Sequence, residues 1–227
     1  MRRHRWSCLA LALLFAVPAA AQTSATWREG EQYFLIQPVQ PTNVPAGKVE
    51  VTEAFSYGCP ACYHFYPTAD RLRASLPPNA VLDYVPAGFN TSEDWPVFQR
   101  AFYAAQALGI VPKTHDAMFG AIWGSGGELA IEDPSTERLR DPLPSIDDVA
   151  KFYQRVAGIS AERFLAAANS FTTDVQIRRA DAYLLACKVD STPTIIVNGK
   201  YRLTVQTAGG YEQTIALVKY LVAKESR

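Results

Sequence analysis

The chain has 227 residues, with 22 basic and 22 acidic side chains that leave no formal net charge at neutral pH. Apolar residues make up 48% of it, which supports a substantial core in one domain with a large insertion or in two small domains. There is no basic excess of the kind that binds nucleic acid, so we expect no nucleic-acid partner.

The first 21 residues have the order of a secretory signal peptide. Three arginines precede an apolar stretch at residues 9–17, and three alanines then supply small residues for cleavage after Ala21. The apolar stretch is too short to span a bilayer comfortably, and Cys8 is removed with it. Cleavage leaves 206 residues with a net charge of −3. Export of this kind predicts an oxidising compartment.

Three β-strands are predicted early in the chain, at residues 33–36, 49–55 and 80–85. The second is β-branched and alternating, as strands commonly are. Its alternation places Glu53 on the same face as apolar side chains, near the cysteines that follow. A desolvated carboxylic acid there would have a raised pKa and would be able to relay a proton to or from a thiol. The alternative for Glu53 is a paired or solvent-reaching side chain with no role.

Two cysteines, Cys59 and Cys62, lie where the helix after the second strand is predicted to begin. Aromatic and leucine side chains recur at helical spacing until Pro77-Pro78 ends that helix. Unpaired N–H groups and the helix dipole favour an anion at the N-terminus, and the Cys59 thiolate is the anion available. Cys62 returns to the same face one turn later, at about the 5 to 6 Å that a disulfide tolerates. We predict a redox-active pair, because a bridge closing so small a loop adds little stability.

Other uses of a C-x-x-C pair fit this sequence poorly. A zinc site needs four ligands, but after residue 21 there is no second such pair, and only His64 and His115 remain. A c-type haem needs a histidine directly after the second cysteine, where this chain has Tyr63. We therefore expect no metal and no cofactor beyond the Cys59–Cys62 disulfide, and we expect both histidines to be surface or packing residues.

About a hundred residues of helical pattern follow the third strand. Helices are predicted at residues 97–108, 146–156, 164–171 and 177–187. Ser145 and Gly158 cap the second of these. Residues 124–144 contain glycine, proline and charged side chains, a composition that predicts a long surface loop. Cys187 falls on an apolar stripe and is expected to be an inert core residue.

The chain ends with a predicted β-hairpin and a helix. Strands at 194–197 and 201–204 flank Asn198-Gly199, which is a strong hairpin signal, and the last helix is predicted over 211–223. Pro193 stands at the head of the hairpin, where proline is tolerated because it has no N–H to donate. This order of elements predicts an α/β fold with a helical insertion.

Four features follow one another in a specific order: EAFSYGCPAC at Glu53–Cys62, a helical block, Thr192-Pro193-Thr194, and VNGKY at Val197–Tyr201. With this combination the chain resembles the DsbA family of periplasmic thiol-disulfide oxidoreductases in the thioredoxin superfamily. The likeness covers nearly all of the chain after residue 21. It implies a thioredoxin fold in two parts with an inserted all-helical domain. The corresponding division is a signal peptide at 1–21, thioredoxin parts at 22–88 and 173–227, and the insertion at 89–172.

The resemblance also implies roles for individual residues. Cys59 is the nucleophile and Cys62 the resolving thiol. Pro193 is expected to be cis and to lie against this pair, and Thr192 is expected to offer backbone hydrogen bonds to a substrate segment that carries a cysteine.

A periplasmic enzyme that donates its disulfide to newly exported proteins through a mixed disulfide is the function that the resemblance implies. Its partners would be reduced, unfolded exported proteins and a DsbB-like, quinone-linked membrane oxidase, and we expect a monomer. A disulfide isomerase or reductase of the same fold is one alternative, although residues 22–46 are too few for the dimerisation domain that an isomerase usually needs. A peptide-binding, chaperone-like module is the other.

One position departs from the family pattern. Many relatives have histidine as the third residue of the motif, whereas this chain has Ala61. Pro60 and Ala61, together with Glu53, are expected to tune the pKa of Cys59. Because the imidazole is missing, we expect Cys59 to be less acidic than in a relative that contains histidine.

Overall fold

The computed structural model describes residues 27–226, so the predicted signal peptide lies outside the described residues. The first half contains β1 (Phe34–Leu35), β2 (Val49–Phe55), α1 (Pro60–Ser75), β3 (Ala80–Pro86), α2 (Trp95–Ala107) and α3 (Val111–Trp123). The second half contains β4 (Glu132–Asp133), β5 (Arg138–Leu139), α4 (Ile146–Ala157), α5 (Ala161–Ala168), α6 (Phe171–Ala186), β6 (Thr194–Val197), β7 (Tyr201–Thr204), α7 (Val205–Ala208) and α8 (Tyr211–Glu225).

A mixed five-stranded sheet, in the order β1-β7-β6-β2-β3, organises the fold. β2 runs parallel to β3 and antiparallel to β6, and every residue of β2 is buried. Parallel neighbours need a crossover connection, and α1 supplies it. The crossover begins directly after β2, so the start of α1 lies at the carboxyl end of a central strand.

Two large hydrophobic clusters meet near that point. One joins one face of the sheet to α1 and α8, with Val51, Leu72 and Leu221 at its centre. The other gathers the end of β2 and the helices from α2 to α6 around Phe55 and Phe102, and it includes both motif cysteines. Each fully buried side chain of this size stabilises the fold by about 1.5–3 kcal/mol. The redox motif therefore starts where the sheet meets the helices that follow β3.

Most predicted elements are confirmed, with three differences in the helical part. The sequence pattern did not single out α3. Phe171 begins α6 instead of ending the helix before it, because the Ser170 hydroxyl accepts the Thr173 N–H and caps α6 there. The predicted loop at 124–144 contains the short β4–β5 hairpin and buries Leu129 and Ile131.

The capping residues of α4 follow the prediction. Ser145 and Asp148 form a reciprocal capping box, and Gly158 ends the helix in the left-handed conformation. The division of the chain into domains at 22–88, 89–172 and 173–227 stays a prediction. In residues 27–226, every helix is too short or too polar to cross a membrane.

Candidate active site

Cys59 is the N-cap residue of α1, and Pro60 is the first residue of the helix. No side chain caps this helix, so its first backbone N–H groups remain available. The N–H groups of Ala61 and Cys62 lie at the Cys59 sulfur and lower the pKa of its thiol. Both cysteines are free thiols, and Cys59 retains 5% of its surface exposed while Cys62 is fully buried.

The surroundings make Cys59 an acidic thiol. A hydrogen bond from the Cys62 thiol is the largest cause that lowers its pKa, and the Thr192 side chain and the two N–H groups act in the same direction. Burial opposes them, and the balance places the pKa of Cys59 at about 6. Cys59 is therefore largely a thiolate at neutral pH, which is the form that attacks disulfides.

Cys62 has the opposite character. Burial raises its pKa well above that of an ordinary thiol, and the negative charges of Cys59 and Glu53 raise it further. At neutral pH the pair holds one proton, and that proton belongs to Cys62. This asymmetry makes Cys59 the sulfur that enters the mixed disulfide, while Cys62 takes up a proton when the pair is reduced and gives it up when the pair is oxidised.

The head of the hairpin lies directly against the motif. The Thr192–Pro193 bond is cis, as predicted, and the Cys59 Sγ lies 3.4 Å from the Thr192 carbonyl oxygen, to which it donates a hydrogen bond when it is protonated. The Thr192 hydroxyl is buried, and apart from the Cys59 sulfur it has no hydrogen-bond partner in the described part of the chain. The structure thus brings together Cys59, Thr192 and Pro193, three residues that are far apart in sequence.

Glu53 is buried beneath the cysteines, as its position in the strand predicts. Only 2% of its surface is exposed, and its Oε2 atom has no hydrogen-bond partner among residues 27–226. Desolvation is the main cause that raises the pKa of this carboxyl group to about 8, and attraction to Arg73 only partly offsets it. Glu53 is therefore able to hold or release a proton near neutral pH.

A group of residues that sequence analysis did not assign to the site holds the loop before Cys59. The Trp123 Nε1 donates to the Tyr57 carbonyl oxygen at 2.8 Å, and the Tyr57 hydroxyl is hydrogen-bonded to His115 Nδ1 at 2.8 Å. A Cβ atom on Gly58 would lie 2.7 Å from Trp95, so only glycine fits there. These contacts join residues far apart in sequence, and no local sequence pattern predicts them.

The two histidines and the third cysteine were expected to be packing or surface residues. Besides its hydrogen bond to Tyr57, His115 is a buried packing residue, and its pKa falls to about 3 mainly through desolvation, so the ring is neutral. His64 is exposed on α1. Cys187 is fully buried beside Ile36 and Ile196, and burial raises its pKa to about 11, which keeps it an unreactive thiol.

Comparison with known proteins agrees with this geometry. The thioredoxin family model matches residues 44–216. The thiol:disulfide interchange protein DsbA of Azotobacter vinelandii is 34% identical over 217 residues, which are 93% of this chain and 92% of that protein. Its namesake in Pseudomonas aeruginosa is also 34% identical over 217 residues, covering 96% of this chain and 93% of that one.

Solved structures give the same result. The crystal structure of DsbA from Xylella fastidiosa superimposes with a TM-score of 0.75 at 34% identity, covering 86% of this chain and 96% of that one. The crystal structure of P. aeruginosa DsbA gives 0.73 at 33% identity, covering 88% and 94%. The predicted thioredoxin fold is confirmed. The chain therefore belongs to the DsbA family of thiol:disulfide interchange proteins, and it is a thiol:disulfide oxidoreductase of the thioredoxin superfamily.

Proposed function

We propose that this oxidoreductase works as an oxidase, which donates the Cys59–Cys62 disulfide to newly exported proteins. The observation that supports this direction is the stabilisation of the Cys59 thiolate at the start of α1. Whatever stabilises the reduced pair makes its disulfide a stronger oxidant, because electrons then flow from the substrate to the enzyme.

The exchange proceeds in two steps. A substrate thiolate attacks the Cys59 sulfur of the oxidised pair, which forms a mixed disulfide and releases Cys62 as a thiolate that takes up a proton. The substrate's second thiolate then attacks the substrate sulfur that is bonded to Cys59 in the mixed disulfide. This attack displaces Cys59 as a thiolate. The substrate gains a disulfide and loses two electrons, and the enzyme gains those electrons as the Cys59 thiolate and the Cys62 thiol.

Five other residues assist these steps. Glu53, with a pKa raised to about 8, is positioned to supply or accept the proton of Cys62. Thr192 and Pro193 form the platform on which the substrate's cysteine segment lies, since the Thr192 carbonyl oxygen lies beside the Cys59 sulfur and Pro193 follows it through a cis bond. Pro60 and Ala61 set the backbone that surrounds the thiolate.

The partners and location follow from family membership and from the predicted signal peptide. The substrates are reduced, unfolded proteins in the periplasm, and a DsbB-like membrane oxidase that passes electrons to a quinone restores the Cys59–Cys62 disulfide. The protein acts as a monomer after the first 21 residues are cleaved.

Equilibration with glutathione buffers, followed by trapping of the thiols, tests the direction of electron flow. We expect the Cys59–Cys62 disulfide to be reduced by glutathione far more readily than a structural disulfide is. A pair that stays oxidised in a reducing glutathione buffer would instead indicate a structural bridge.

A second experiment separates the alternatives by mixing stoichiometric oxidised protein with a reduced, unfolded substrate. An oxidase forms the substrate's disulfides, and Cys59→Ser abolishes the reaction while Cys187→Ser leaves it unchanged. A chaperone-like module would protect the substrate equally well with or without Cys59. An isomerase would act mainly on a substrate with scrambled disulfides.

A further inference from the structure

A second concave site lies on the sheet face opposite to α1. Side chains alternate along β2, so Glu50 and Thr52 point away from Val49 and Val51, which pack in the cluster that contains α1. The cleft above Glu50 has a volume of about 1030 Å³ and lies between β2, β3, the end of α2 and α6. Its size is that of small-molecule sites, which measure roughly 300–1,000 Å³.

The floor of this cleft holds two carboxyl groups that no basic side chain of the described structure pairs with. Glu50 is only 3% exposed, and its Oε2 and Oε1 atoms accept hydrogen bonds from Asn43 N at 2.7 Å and Thr52 Oγ1 at 3.2 Å. Asp83 lines the same cleft. Arg179 is the only basic residue in the lining, and within residues 27–226 neither carboxylate forms an ion pair. A buried carboxylate without a cation is costly, so a missing partner is expected.

Two tyrosines supply an independent indication of a ligand. Tyr103 and Tyr183 both line the cleft; the Tyr103 hydroxyl forms no hydrogen bond with another residue of the described structure, and the buried Tyr183 hydroxyl has no hydrogen-bond partner there either. The rings of Tyr103 and Tyr183 belong to two different helices and bound the cleft. Aromatic faces attract cations, and a phenol oxygen accepts their hydrogen bonds.

We propose that this cleft is a second binding site, which takes an organic cation: an ammonium, amidinium or guanidinium group on an apolar body. The cation pairs with Glu50 and with Asp83 beside it, and the body lies against the tyrosine rings. A metal ion is disfavoured, because no cluster of three potential ligands occurs at any described position. An anion is disfavoured, because the lining holds two carboxylates and one exposed arginine.

Binding at this site is separate from disulfide exchange. The cleft is on the other side of the sheet from α1, and neither motif cysteine contributes to its lining. Substitutions in the cleft are therefore expected to leave disulfide exchange unchanged.

Calorimetric titration of the full chain at neutral pH tests the proposal with benzamidine and its neutral analogue benzamide. We expect benzamidine to bind saturably and at least tenfold more tightly than benzamide. Glu50→Gln, which retains oxygen and shape, is expected to weaken benzamidine binding at least tenfold, and Tyr103→Phe severalfold. The control Glu162→Gln, on the surface of α5, is expected to change nothing.

Two further probes separate the sources of the cation. If N-acetylarginine amide binds more tightly than spermidine, the site takes a guanidinium carried by a protein chain; the reverse order assigns it to free polyamines. Equal affinity for benzamidine and benzamide, or no saturation by any cation up to about 10 mM, would overturn the proposal. Tyr103→Phe with unaltered affinity, measured beside thermal unfolding curves, would also overturn it, even if Glu50→Gln failed to fold.

Discussion

Alanine at position 61 leaves the Cys59 thiolate dependent on backbone donors and on its partner thiol. The Ala61 contribution comes from its N–H group, and its methyl group points to solvent. Helix-terminus stabilisation of an anion amounts to about 0.3–1 kcal/mol at exposed sites and up to about 2 kcal/mol in partly buried ones. A shift of one pKa unit corresponds to about 1.4 kcal/mol, so a further donor from a side chain would have a measurable effect.

We expect Ala61→His to lower the pKa of Cys59, by up to about one unit, because the imidazole would add a hydrogen bond or a positive charge beside the thiolate. Titration of thiolate absorbance near 240 nm in the reduced protein measures the change. Ala61→Leu adds bulk without a donor and serves as the control. An unchanged or higher pKa in Ala61→His would show that the backbone already saturates the sulfur.

Glu53 is expected to make the fold less stable as pH rises. Its pKa is about 8 in the fold, above its ordinary value of about 4.3 in an unfolded chain. The folded state therefore favours the protonated form, and stability present below about pH 4.3 is lost progressively as pH rises to about 8. Glu53→Gln removes this titration, so the variant should gain stability relative to the native protein across that interval, by up to a few kcal/mol. Urea unfolding at pH 4, 6 and 8 measures the difference in free energy of unfolding between the variant and the native protein. A difference that is the same at all three pH values would contradict the assigned pKa.

At the scale of elements, α3 fixes the loop that delivers Cys59 to the helix start. This one helix contributes Trp123 to the backbone of Tyr57 and His115 to its side chain. The Tyr57 carbonyl is buried, so its hydrogen bond is costly to lose. The helices after β3 therefore help to build the redox site, although both cysteines lie before them in the chain.

We expect Trp123→Phe to destabilise the protein by about 1–3 kcal/mol, because it leaves the Tyr57 carbonyl without its donor. Trp95→Phe makes the same change of ring, but Trp95 Nε1 donates to the partly exposed Glu93 carboxylate, which water can satisfy. Trp95→Phe, the control, should therefore lose less stability than Trp123→Phe. Guanidinium unfolding compares the two variants, and equal losses would show that ring packing outweighs the hydrogen bond.

The same elements show how far sequence reasoning reaches. The motif, its strand and the start of α1 were predictable, because alternation, a turn and a proline at the helix start are local signals. The position of Thr192 and Pro193 beside Cys59 came from family resemblance, since more than a hundred residues separate them. The Trp123 and His115 contacts could not be predicted, because a hydrogen bond between distant segments does not change the hydrophobic periodicity of either segment.

The central strand β2 separates two chemical environments. One face and the carboxyl end of the strand place Glu53 beneath the cysteines, and the other face carries Glu50 at the floor of the cleft. Both carboxyl groups have raised pKa values, and desolvation is the main cause for each. A strand covered on both sides can bury acids in this way only because the surrounding core is large enough to stabilise the fold despite them.

The redox state of the motif is expected to control the stability of the entire protein, and the effect should depend on pH. The pKa of Cys59 is about 6 in the reduced fold, below the value of about 8.5 for an unfolded chain. The lowered pKa of Cys59 stabilises the reduced protein by at most about 3 kcal/mol. This contribution is complete above about pH 8.5 and is lost as pH falls through 6. The oxidised protein has no thiolate and lacks this contribution. Guanidinium unfolding of both forms between pH 5 and 8, with air excluded, should show the free energy of unfolding of the reduced form rising with pH relative to that of the oxidised form. Cys187→Ser should retain the trend, since that thiol stays protonated. A difference between the two forms that does not vary with pH would mean that the thiolate at the start of α1 does not drive the chemistry.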